Sequence, residues 1–100
     1  MYDYDLVKIF KALADKTRQD ILELLMEEDM NVTDICSGFR ISQPTISHHL
    51  QILKDCHLLE SRKEGKNIYY YVREENISAV FGILVTKLRV KVVKKKKKTG

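Results

Sequence analysis

The side chains best suited to chemistry fall into two groups. Gln43, Ser47, His48 and Gln51 place hydrogen-bonding groups without strong charge along one stretch with helical spacing. Such a face suits the major groove of a duplex, where base edges present patterned donors and acceptors. Cys36, Cys56 and His57 form the second group, of types that bind metals or respond to oxidants. Cys36, next to Ile35 and near Phe39, reads first as a small apolar filler, and the lone Cys56–His57 pair supplies two of the four ligands of a closed zinc site. Both thiols stay candidate sensors, and no metal site is expected. His48 and His49, adjacent on a helix, point about 100° apart and do not share a metal easily. His48 belongs to the polar face, whereas His49 borders an apolar stripe. There is no glycine-rich phosphate loop and no nucleophile with a spaced base and acid, so the chain reads as no enzyme and needs no cofactor.

The elements that must carry these residues follow from periodicity. Leu6, Ile9, Phe10 and Leu13 mark a first amphipathic helix. Asp15 offers a cap to a second, with Ile21, Leu22, Leu24 and Leu25, which the acidic Glu27, Glu28 and Asp29 should end at the surface. Val32, Thr33, Ile35 and Phe39 suggest a staple, a cap and a short third helix that stops at residues 38–40. Ser42 then caps a fourth, through about Asp55, with Pro44 in its first turn and Ile46, Leu50 and Leu53 buried. Residues 58–62 and 67–72, joined by Lys63, Glu64, Gly65 and Lys66, form a hairpin in which Tyr70 faces away from Tyr69 and Tyr71. Asn76 is placed as the cap of a last helix with Ile77, Val80, Phe81, Leu84 and Leu88 on one face, ending near Leu88, although Leu88, Val90 and Val92 also alternate like a strand. This order, mainly α with one small β-hairpin, is that of a winged helix-turn-helix domain over residues 1–93, followed by a disordered lysine-rich tail over 94–100.

Charge is uneven along the chain. The formal net charge of +4 includes five consecutive lysines at residues 94–98. Residues 1–34 carry 4 basic and 9 acidic side chains, whereas residues 35–73 carry 6 and 3, so positive charge gathers where the polar helix and hairpin lie. Arg62, Lys63 and Lys66 on the hairpin can reach phosphates. Residues 77–86, the longest weakly charged apolar stretch, are about half of what a spanning helix needs. No membrane partner is expected, and two cysteines without a signal-peptide pattern suggest a cytoplasmic protein.

The segments ALADKTRQDILELL, ISQPTISHHLQILKDCHLL and SRKEGKNIYYYV, in that order, resemble the ArsR-like family of dimeric winged-helix repressors over residues 6–73. The resemblance implies a homodimer through the first and last helices, with Leu6, Ile9, Phe10, Leu13, Ile77, Val80, Phe81, Leu84 and Leu88 at the interface. It implies a recognition helix at residues 42–55, with Gln43, Ser47, His48 and more weakly Thr45 facing bases of double-stranded DNA, and Arg62, Lys63 or Lys66 on phosphates. Repression would follow from occupying an inverted-repeat operator, and the alternative is a dimeric protein-interaction module with weak or lost DNA binding. Pro44 stands where the family often has serine, and Cys56–His57 where it usually has a small residue and glycine.

The family's metal sensing is not matched by ligands here. Its thiol type has a Cys-x-Cys pair where this chain has Asn31, Val32 and Thr33, and its other type uses carboxylates and histidines on the last helix, of which residues 77–93 contain none. An effector, if there is one, is unknown.

Overall fold

A computed structural model describes the backbone of residues 3–99 and the side chains of residues 3–89. Helices α1 (Leu6–Leu13) and α2 (Lys16–Glu27) begin at aspartate caps, Asp5 and Asp15, whose carboxylates accept from the Lys8 and Arg18 amides. After the acidic stop at Glu27 to Asp29 come strand β1 (Met30–Asn31), α3 (Val32–Ser37) and α4 (Gln43–Asp55). Strands β2 (Leu59–Glu64) and β3 (Asn67–Val72) follow, and then α5 (Glu74–Thr99). Leu25, Ile35, Ile46, Leu50, Leu53, Leu58, Leu59 and Val80 meet in one core, so the helix-turn-helix and the hairpin share a base. No described helix is long and apolar enough to cross a membrane.

Several elements differ from expectation. The hairpin is the larger part of a three-stranded antiparallel sheet of order β1-β3-β2, because Met30 and Asn31 pair with Tyr70 and Tyr69. Two residues carry no alternation, so β1 left no pattern to read. Asn31 also caps α3, its side-chain oxygen accepting from the Asp34 amide at 2.8 Å; the cap is therefore Asn31 rather than Thr33. Lys63 and Glu64 lie within β2, opposite Ile68 and Asn67, leaving Gly65 and Lys66 as a two-residue turn. Gly65 sits at φ 61, the left-handed conformation that the first position of such a turn favours.

Helix α5 starts at Glu74, ahead of Asn76, so Asn76 is not its cap. It also passes Leu88 and continues through the lysine run to Thr99, where a disordered tail was expected. No glycine or proline interrupts residues 83–99, and lysines near a helix C-terminus complement its dipole. Residues 1, 2 and 100, and the side chains of residues 90–99 with the lysines among them, lie outside the described residues.

Candidate nucleic-acid interface

Helix α4 presents the polar face that its spacing predicts. Ile46, Leu50 and Leu53 are fully buried, which turns Gln43, Ser47, His48 and Gln51 outward, all exposed. Thr45 is exposed as well, but its hydroxyl lies 2.9 Å from the Ser42 hydroxyl, and the Ser42 oxygen accepts from the Thr45 amide at 3.4 Å. That hydroxyl is already engaged in the cap. Farther along, Gln51 Nε2 donates to Asp55 Oδ1 at 2.8 Å, which leaves Gln43, Ser47 and His48 as the leading edge.

α4 is fixed from outside at its middle and at its C-terminal end. Arg18 donates through Nε to His49 Nδ1 at 3.0 Å and through Nη1 to the Ala12 carbonyl at 3.1 Å, joining α1, α2 and α4. Asp15 caps the same turn, and the Arg18 amide holds its carboxyl below the ordinary carboxylate range. At the C-terminal end the His57 and Leu58 amides donate to the Lys54 and Leu53 carbonyls, at 3.0 and 3.1 Å. This is a Schellman closure, with His57 at φ 62 where glycine is the usual residue. The His57 carbonyl accepts from Asn76 Nδ2 at 2.7 Å, and Asn76 Oδ1 accepts from the Tyr4 hydroxyl at 2.9 Å. Asn76 is only 5% exposed, so the residue expected to cap α5 instead ties α5 and the segment before α1 to the end of α4.

The wing holds its three cations in different ways. Lys63 and Lys66 are exposed near the hairpin tip. Arg62 is instead bound to the protein: Nη1 lies 2.5 Å from Asp29 Oδ2, Nη2 lies 3.7 Å from Glu64 Oε2, and the guanidinium stacks over Tyr69 and Tyr71. These carboxylates, Asp29 foremost, raise its pKa above the ordinary guanidinium value. The sequence grouped Arg62 with the phosphate contacts because it could not show that Asp29, 33 positions earlier, lies alongside. It also passed over Arg40, an exposed cation in the turn between α3 and α4; its signal was its place as the lone basic residue in residues 38–42.

The remaining candidates separate by burial. Cys56 is buried, and desolvation pushes its thiol pKa up, away from the reactive thiolate. Cys36 is half-buried against the core. Among the described residues, no three His, Cys, Asp or Glu side chains gather as a metal-binding group. Glu74 and Glu75 do belong to the first turn of α5, but Glu75 pairs with Arg73.

Of the expected interface residues, Ile9 and Val80 are 2% and 0% exposed within one protomer; they complete its own core and are unavailable to a partner. Leu6, Phe10, Leu13 and Ile77 are half-buried against that core, and Leu84 is half-buried. Phe81 meets Phe10 edge-on at 5.9 Å and remains exposed, as do Leu88 and three residues the sequence passed over, Val7, Ile83 and Val85.

Residues 15–61 match the sequence model described as bacterial regulatory protein, arsR family. The chain is 48% identical over 62 residues to the transcriptional repressor SdpR of Bacillus subtilis, an alignment covering 62% of this chain and 69% of that one. An ArsR-like transcriptional regulator from Rhodococcus superposes with a TM-score of 0.76, at 28% identity and 90% coverage of both chains. A homodimeric winged helix-turn-helix DNA-binding domain from Mycobacterium bovis gives a TM-score of 0.68 at 32% identity, covering 81% of this chain and 76% of that one.

Proposed function

The chain belongs to the ArsR family of winged helix-turn-helix transcriptional repressors, which are regulators and not enzymes, and from that membership we propose that it acts as a cytoplasmic homodimer on an inverted-repeat operator. The observation that carries this reading is the outer edge of α4, where Gln43, Ser47 and His48 stand exposed on a helix anchored at its middle and its C-terminal end. These three read base edges, with Thr45 in a lesser role because its hydroxyl serves the cap. Lys63, Lys66 and Arg40 contact phosphates. The dimer forms through Leu6, Phe10, Leu13, Ile77, Phe81, Leu84 and Leu88, joined by Val7 and Val85. Repression proceeds without the two metal sites typical of the family, since Asn31, Val32 and Thr33 replace the thiols and the described part of α5 offers no histidine.

Selection of bound duplexes from a randomised pool tests the reading, with the full chain and a version ending at Val93. Both versions should enrich one inverted repeat with half-sites about 10 base pairs apart or a multiple of that. Binding that enriches no sequence and disappears with the lysines would overturn it.

A further inference from the structure

Arg62 has an unusual path. In the sheet register it sits opposite Tyr69, and Asn31 flanks Tyr69 on the other side, so the face carrying Arg62 also carries Tyr69, Tyr71 and Glu60. Asp29 immediately precedes β1 and comes alongside Tyr71 on that same face. The guanidinium carbon lies 5.5 Å from the Tyr69 ring centre and 5.8 Å from that of Tyr71, and the side chain closes on Asp29 at 2.5 Å. It thus leaves β2, crosses the central strand β3 and ends at the far edge of the sheet.

This crossing matters because the wing is otherwise lightly held. β1 supports β3 over only two residue pairs, at Tyr70 and Tyr69, and from there to the tip β3 has no strand beside it other than β2. On the opposite face, Lys54 Nζ donates to Ser61 Oγ at 2.8 Å and ties β2 to α4. The base of the hairpin is therefore held from both faces.

We infer that Arg62 is a positioning residue for the wing: its ion pair with Asp29, laid across Tyr69 and Tyr71, fixes the angle at which the hairpin projects beside α4 and so places Lys63 and Lys66 on the DNA backbone. The DNA half of this inference rests on the repressor reading; the restraint on the hairpin does not. A half-exposed ion pair adds little to global stability. Its effect lies in orientation, since a change of hairpin angle moves the tip, where Lys63 and Lys66 sit, farther than it moves the base.

The sign of one substitution separates positioning from direct contact. If Arg62 itself bound a phosphate, Asp29→Asn would remove a competing negative charge and leave binding equal or tighter. As a strut, Asp29→Asn instead weakens binding to the duplex selected by the wild-type chain, by about fivefold, and Arg62→Ala does so to a similar degree. The double substitution is then no worse than either one alone, and exchanging the charges, Asp29→Arg with Arg62→Asp, restores most of the affinity. Unweakened binding by Asp29→Asn, or a charge-exchanged pair as weak as Arg62→Ala, overturns the proposal. Amide hydrogen exchange on the free protein gives a readout that needs no DNA: Asp29→Asn should speed exchange in residues 59–72 and leave α4 unchanged, and equal protection of the wing would refute the strut. Should the wild-type chain enrich no duplex, the repressor reading falls with the DNA half of this inference, while the exchange measurement decides the strut by itself.

Discussion

His57 shows how one side chain can be misread from its type alone. Beside Cys56 it resembles half of a metal site, but its position is set by the backbone: it closes α4 at φ 62, with its amide and that of Leu58 on the Lys54 and Leu53 carbonyls. A left-handed conformation costs a residue with a Cβ about 1–2 kcal/mol, an expense glycine avoids, although it raises the unfolded-state entropy that folding must overcome. His57→Gly should therefore raise stability by about 0.5–1 kcal/mol in urea unfolding, and His57→Val, branched at Cβ, should lower it. A destabilised glycine variant would mean that the imidazole contributes more than the backbone conformation costs. Cys56 points the same way, because it is buried and desolvation pushes its thiol above the ordinary range, away from the reactive thiolate. The sequence could register a histidine where the family it resembles usually has glycine; the reason required a dihedral angle.

At the scale of elements, the helices were legible because each carries its own signal: Asp15 and Ser42 as caps, Pro44 in a first turn, and the Ile46, Leu50 and Leu53 stripe that leaves Gln43, Ser47 and His48 outside. What escaped depends on partners distant in sequence. β1 is a strand only because Tyr69 and Tyr70 lie beside it, and Asn76 looks like a cap until the His57 carbonyl is brought beside it. Asn76 has a cap's chemistry, yet its two polar groups serve Tyr4 and His57, 72 and 19 positions away. Asn76→Ala should accordingly cost about 2–3 kcal/mol, since it removes both hydrogen bonds at a buried position, while Tyr4→Phe, which removes one, should cost about 1 kcal/mol. Unfolding curves at a single fixed protein concentration check this, because a dimer's stability depends on concentration. Equal, negligible losses would show that solvent replaces both bonds.

For the whole molecule the decisive quantity is the apolar surface that one protomer cannot cover. α5 is 26 residues, about 39 Å at 1.5 Å per residue, longer than its packing partners. Phe81, Val85 and Leu88 follow one another at spacings of four and three, so they share a face, and all are exposed: 47%, 44% and 53%. Val7 on α1 is more exposed still. A stripe of this kind on a small soluble domain is the usual sign of an interface, and a two-fold pairing would bury it on both copies at once. The same pairing would set the spacing of the two α4 helices, so assembly and operator recognition should fail together. Replacing Val85 and Leu88 by lysine should convert the protein to a monomer in sedimentation at micromolar concentration without unfolding it, because neither side chain belongs to the core. Binding to a two-half-site duplex should then fall by about a hundredfold or more, since the second half-site no longer binds as an intramolecular event. A variant that stays dimeric would move the interface off this stripe. One that becomes monomeric yet binds as tightly would separate dimerisation from DNA reading and break the link on which the inverted-repeat operator depends.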